Sequence, residues 1–198
     1  LLIVVSIVLG IVIPRLLVPP EDEIKPPTVC FQDRTELLNA TNRYITSGCG
    51  EEKTKCAEGD VELYGWPIGE WCVENVTDMS NLFYNRETFD EDISQWDVSN
   101  VVDMKWMFYG AQSFAQNLSS WNVTNVKSMF RMFDGAISFN SDIGSWAISN
   151  ETRTNSMFFR ASSFNQDLCE WGDSFAYDSS NSIFLQSGCT YQESPRES

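Results

Sequence analysis

A chain of 198 residues is long enough for one sizeable folded body with accessories and short for two. It contains no histidine, the side chain that most often moves protons or binds metal near neutral pH, so a catalytic role is not expected. A formal charge of −15 opposes attraction to nucleic acid phosphates and to anionic membrane surfaces, so no nucleic acid partner is expected either.

The chain opens "LLIVVSIVLGIVIPRLLVPPEDEIKPP", with an apolar run from Leu1 to Ile13 that resumes at Leu16 to Val18 after Pro14 and Arg15. That run is shorter than the roughly 20 residues of a spanning helix, but a kinked span is feasible if apolar residues precede Leu1. No small-x-small processing site follows it, so residues 1–18 are expected to be a single-pass signal anchor rather than a cleaved signal peptide. The protein would then be held in the membrane by its N-terminal helix, its C-terminal domain extracellular or lumenal, with secretion as the alternative. Residues 19–29 place Pro19, Pro20, Pro26 and Pro27 around an acidic "EDEIK", the composition of an extended linker.

Residues 30–67 form the expected N-terminal cap. A helix is predicted over 33–47, with Asp33 as its cap, Glu36 as the capping-box partner and Gly48 after its last turn. Leu37, Leu38, Thr41, Tyr44 and Ile45 share one face at helical spacing.

Residues 68–171 repeat. Trp71, Trp96, Trp121, Trp146 and Trp171 stand 25 residues apart. In the same register run Ile68, Ile93, Leu118, Ile143 and Leu168, then Val73, Val98, Val123 and Ile148, then Asn75, Asn100, Asn125 and Asn150. Met79, Met104 and Met129 follow, then Leu82, Met107, Met132 and Met157, with Phe83, Phe108, Phe133 and Phe158 beside them and Phe89, Phe114, Phe139 and Phe164 closing each unit. A fixed period with the same apolar slots refilled is the mark of stacked repeats, and the Trp, Met and Phe stripes are expected to be core. The Trp–Val–Asn part alternates as a strand does, whereas the Met–Met–Phe part has helical spacing. The expected fold class is therefore an α/β repeat solenoid, leucine-rich-repeat-like, with a short parallel strand and a short helix in each 25-residue unit. Two departures stand in the fourth unit: Glu151 replaces the valine of Val101 and Val126, and Thr154 replaces the methionine of Met104 and Met129. Residues 172–198 are expected to be a capping half-repeat and tail.

The units "ISQWDVSNVVDMKWMFYGAQSFAQN", "LSSWNVTNVKSMFRMFDGAISFNSD" and "IGSWAISNETRTNSMFFRASSFNQD" resemble the BspA-like leucine-rich-repeat surface proteins, whose repeat also occurs in mycoplasma surface lipoproteins and in surface proteins of unicellular eukaryotes. The resemblance implies display outside the cell for adhesion or recognition, and brings no catalytic or cofactor residues with it.

The cysteines flank the array: Cys30, Cys49, Cys56 and Cys72 before or in the first unit, Cys169 and Cys189 at its end. Their placement points to end-cap disulfides in an oxidising compartment, with Cys169–Cys189 as one pair and three connectivities open among the other four. Sequons stand at Asn39, Asn75, Asn117, Asn122 and Asn150. Asn117 and Asn122 are the better glycan candidates, while Asn75 and Asn150 occupy the repeated Asn slot, where an amide bonding backbone at the turn is the more natural role. If Trp and Val point inward, Glu70, Cys72 and Glu74, Gln95, Asp97 and Ser99, Ser120, Asn122 and Thr124, and Ser145, Ala147 and Ser149 point out. Gln95, Asp97, Ser99, Ser120, Thr124, Ser145 and Ser149 are the candidate binding residues of that polar face, for a protein or a carbohydrate. An acidic column, Asp90, Glu91 and Asp92 followed by Asn117, Asp142 and Asp167, reads as turn capping, with Ca²⁺ the one cofactor it could hold. The functional expectation is a non-enzymatic, membrane-anchored recognition or adhesion module, or alternatively a structural subunit packed into a larger surface assembly.

Overall fold

The computed structural model describes residues 29–50, 56, 60, 63–168, 170 and 171, together with Ile7, Val8, Ile11 and Val12. Helix α1, Arg34–Ser47, forms where the capping signals place it. The Asp33 carboxylate accepts from the Glu36 N–H at 2.9 Å, and Glu36 reaches back to the N–H of Gln32, one residue before the cap, at 2.8 Å. Gly48, at φ 74°, ends the helix by donating to Ile45 O while Cys49 donates to Tyr44 O. Leu37, Ala40, Thr41 and Tyr44 are buried against the first repeat, where Phe31, Tyr64, Tyr44 and Trp71 form an aromatic cluster. The disulfide Cys30–Cys72 ties the start of this cap to the first unit, and Cys49–Cys56 closes a short loop behind α1.

The repeated units stack in register, but not as an α/β solenoid. Among the described residues the repeats contribute no α-helix: the helical residues outside α1 are Asp60, Leu63 and Tyr64 in the cap. The repeats hold 3₁₀ turns at Ile68–Glu70 and at 170–171, and isolated parallel bridges at Asp78, Asp103, Ser128 and Arg153. Neither half of a unit takes the form expected of it. The Met–Met–Phe half carries the inter-unit ladder: Met79, Asn81, Phe83 and Asn85 donate their N–H groups to Asp103, Lys105, Met107 and Tyr109 of the next unit at 2.7–3.1 Å. The pattern recurs from Met104 and from Met129.

The physical reason lies in the backbone. Asn81, Trp106, Arg131 and Ser156 have φ of 52–60°, and so, at 53–73°, do Asn85, Gly110, Gly135 and Arg160. Two left-handed residues four apart in every unit end any α-helix there, and alternate N–H groups point along the stack instead of along their own chain. The Trp–Val–Asn half is turns, with Trp96 N bonding Ile93 O and Val101 N bonding Val98 O. Here side chains bridge the units. The indole N–H of Trp96, Trp121, Trp146 and Trp171 donates to Ile68, Ile93, Leu118 and Ile143 O, and the amides of Asn100 and Asn125 donate to Glu74 and Ser99 O.

Between the two halves lies the core, a double phenylalanine column. Phe83, Phe108, Phe133 and Phe158 stack 5.2–5.7 Å apart, and Phe89, Phe114, Phe139 and Phe164 stand 5.9–6.0 Å apart. Within each unit the two rings stack at 3.8–4.1 Å.

The fourth unit shows how Glu151 is accommodated. Its turn slips by one residue, so that Thr152 is buried and bonds back to Ser149 O while Glu151 stays exposed. Register returns at Arg153, which donates to Lys127 O.

The anchor expectation is also corrected. Within residues 1–18 the described residues are two antiparallel strands, β1 (Ile7–Val8) and β2 (Ile11–Val12), in the register Ile7↔Val12 and Val8↔Ile11. No helix among the described residues is long and apolar enough to cross a membrane, so a single-pass membrane protein anchored by an N-terminal helix is not supported. A run rich in β-branched Ile and Val, broken at Gly10 and Pro14, favours extended pairing over a helix.

Candidate functional site

On the Trp–Val face the alternation places the expected residues outward: Gln95, Asp97, Ser120, Thr124 and Ser145 are exposed and Ser99 and Ser149 half-buried. Their polar atoms, however, are largely spent on the turns themselves. Asp97 accepts from Ser99, which holds its carboxyl below the usual aspartate range. Asn122 accepts from both the N–H and the hydroxyl of Thr124, Ser120 donates to Ser94 O, and Ser149 bonds Thr152. These are Asx- and Ser-type turn contacts recurring with the repeat.

The acidic column behaves the same way. Asp92, Asn117 and Asp142 each accept from the N–H two residues on, at Ser94, Ser119 and Gly144. Among the described residues the column does not bring three carboxylates within 4.8 Å of one another. Cys30, Cys72 and Glu74 do converge, but the two sulfurs form a disulfide and offer no thiolate. Cys169 and Cys189 lie outside the described residues.

The five Trp side chains, from Trp71 to Trp171, are all buried at 1–4% exposure. The sequon asparagines Asn39, Asn75, Asn117, Asn122 and Asn150 are all exposed.

The opposite face, formed by the ladder segments at 77–85, 102–110, 127–135 and 152–160, is chemically different. Tyr84, 42% exposed, stacks on the half-buried Tyr109 at 4.8 Å. Trp106 meets Phe130 edge-on at 5.6 Å, and the Arg153 guanidinium lies over Phe130 at 4.2 Å. The Arg160 guanidinium covers Phe159 at 4.6 Å. Of the six cations between residues 68 and 171, Lys105, Lys127, Arg131, Arg153 and Arg160 stand in these segments, leaving only Arg86 outside.

Charge is graded along the stack. Asp78 and Asp103 occupy one end, held by Arg34 at 3.8 Å and by Lys105 at 2.9 Å, and the same slot is Arg153 at the other. At that second end Asp134 is buried, with Arg131 Nη1 3.6 Å from its carboxylate. Burial pushes the Asp134 carboxyl above the usual aspartate range, against the pull of Arg131 and Arg160.

Sequence reasoning missed this face because it assigned the segment to helices packed on the core. A signal was present: Tyr84, Trp106, Tyr109, Phe130 and Phe159 are large aromatics in slots that the other units fill with Asn, Ser, Arg, Asp or Lys. A slot that accepts both is not core.

These features define an in-register stack of 25-residue units with a turn-rich polar face and an aromatic, cationic face. Residues 56–171, more than half of the chain, match the family described as "Mycoplasma protein of unknown function, DUF285", and the chain belongs to that family. No curated protein and no solved structure matches.

Proposed function

We propose that the chain is a non-enzymatic recognition or adhesion module that binds a protein or carbohydrate partner on its ladder face. The observation that carries the reading is the run of aromatic and arginine side chains that the core does not use: Tyr84, Trp106, Tyr109, Arg153 and Arg160. Aromatic and arginine residues are the types that concentrate binding energy at interfaces, and stacking of neighbouring rings holds them in place before a partner arrives. The resemblance to BspA-like surface proteins supports the same role, and the two disulfides fit work in an oxidising compartment.

The test is binding of the purified chain to a printed array of sulfated, sialylated and neutral glycans and to a panel of extracellular matrix proteins. Wild-type chain should bind at least one class, and the triple change Tyr109→Ala, Arg153→Ala and Arg160→Ala should weaken that binding at least about tenfold, the loss of about 1.4 kcal/mol or more. Asp97→Ala with Ser120→Ala, on the opposite face, should leave it unchanged. Absence of wild-type binding, or equal loss from both sets, would sink the reading.

A second reading, a structural subunit that packs against its own kind, is favoured by the charge gradient from Asp78 and Asp103 to Arg153 and Arg160. Two copies facing each other antiparallel would match acid to base. Sedimentation across a hundredfold range of concentration separates the two, since only the structural subunit gains mass.

A further inference from the structure

We infer that the sequon asparagines, Asn75 and Asn150 included, carry N-linked glycans, and that those at Asn75, Asn117, Asn122 and Asn150 clothe the Trp–Val side of the stack while the ladder segments stay bare. In the repeated Asn slot the structure separates two kinds of residue. Asn100 and Asn125 spend Nδ2 on a bridge to the preceding unit, at 2.9 and 2.7 Å. Neither is followed by a serine or threonine two residues on.

Asn75 and Asn150 are the two members of the slot that do head sequons, and both are exposed with no such bridge. The reasons differ. Asn75 belongs to the first unit, which has the helical cap beneath it rather than another repeat. In the fourth unit the one-residue slip hands the bridge to Thr152, whose hydroxyl donates to Val126 O at 3.0 Å. The slot therefore divides cleanly between amides that bond and amides that can be modified.

The remaining sequons follow the same rule. Asn117 and Asn122 use only the carbonyl oxygen, Asn117 accepting from Ser119 and Ser141 and Asn122 from Thr124, and both residues are exposed. Asn39 is exposed on α1. The ladder segments hold Asn81, Asn85 and Asn155, none of them in a sequon.

The step is glycosyl transfer from a lipid-diphosphate-linked oligosaccharide. Nδ2 bonds to the sugar's C1, the bond from C1 to the diphosphate oxygen breaks, the lipid diphosphate leaves, and one amide proton is released to solvent. A folded chain can keep the product only where Nδ2 was not already needed, because a buried or bridging amide would lose its hydrogen bond and its space to the sugar. The oxidising compartment that both disulfides require is compatible with that chemistry.

The experiment is glycopeptide mapping of the chain isolated from the cells that make it, with enzymatic glycan release in ¹⁸O-water to tag each modified asparagine. Tags at Asn75 and Asn150, alongside Asn117 and Asn122, are expected; bare asparagine at both 75 and 150 overturns the proposal. Melting of single Gln variants checks the physical basis separately. Asn100→Gln and Asn125→Gln should lower the midpoint by about 2–4 °C through the lost bridge, whereas Asn75→Gln and Asn150→Gln should leave it in place. Equal losses at all four would overturn the division of the slot. None of these readouts depends on what the ladder face binds.

Discussion

At the scale of single residues, the repeat explains why particular side chains recur and predicts what happens where one does not. Tryptophan holds its slot because the site asks for a large ring that also donates, and phenylalanine would leave the carbonyls of Ile68, Ile93, Leu118 and Ile143 without their indole partner. Thr154, in the slot of Met104 and Met129, is 1% exposed and its hydroxyl has no hydrogen-bond partner. Such a group costs about 1–3 kcal/mol, so Thr154→Val, which keeps the shape and removes the hydroxyl, should stabilise the fold by about that amount in urea unfolding. Asp134 makes the opposite demand. Unfolded, its carboxyl titrates near the ordinary value of 3.8; folded, burial holds the proton to higher pH despite Arg131 and Arg160. The folded state then binds more protons over the interval above 3.8, so stability is greatest below it and falls as pH rises through the folded value. Glu91, also raised by burial and by Asp90, contributes with the same sign. Asp134→Asn should flatten that part of the stability profile relative to wild type, measured as melting midpoint against pH; an unchanged slope would mean that the carboxylate is solvated.

At the scale of elements, α1 was legible in the sequence and the repeat backbone was not, and the reason is specific. Asp33, Glu36 and Gly48 are residues whose chemistry declares a helix boundary, and the helix begins and ends on them. Slots such as Asn100/Asn125, which bond, and the Phe pairs, which are buried, were legible because their spacing never drifts. What spacing could not convey was handedness. One left-handed slot is filled by Asn85, Gly110, Gly135 and Arg160, a hint in its glycines; the other by Asn81, Trp106, Arg131 and Ser156, which offers almost none. Apolar residues three and four apart therefore looked helical where the chain turns twice. The same geometry makes a prediction. At Gly110, φ is 67° and an added Cβ would run into Asn85 Oδ1. Gly110→Ala should cost about 1–2 kcal/mol for the left-handed conformation alone, and more if Asn85 cannot swing aside. Asn85 is itself left-handed, at φ 53°, so the partner change is Asn85→Gly, which removes the side chain without adding strain there. Combined with Gly110→Ala it should recover only the steric part, and chemical denaturation of the single and double variants separates backbone strain from contact.

At the scale of the molecule, the described units are joined neighbour to neighbour, through the ladder, the indole bridges and the ring columns, so the stack should tolerate loss of a whole period and no other length. Removing residues 101–125 joins Asn100 to Val126 and leaves every slot facing its own kind: Phe83 meets Phe133, Phe89 meets Phe139 and Trp96 is followed by Trp146. Removing one residue fewer, 102–125, keeps nearly the same composition but shifts every later slot by one, driving the polar positions between Trp and Asn toward the core and pulling the left-handed residues out of the ladder. The first deletion should therefore melt in a single cooperative transition with its aromatic circular dichroism intact, at a midpoint lowered by the loss of one interface. The second should lose that signal and bind a hydrophobic dye. The cap is the same in both variants, with α1 and the Cys30–Cys72 and Cys49–Cys56 bridges untouched, so a difference between them can arise only from register. If both deletions behaved alike, neighbour contacts would not be what holds the array together, and the disulfide-tied cap would have to carry its stability instead.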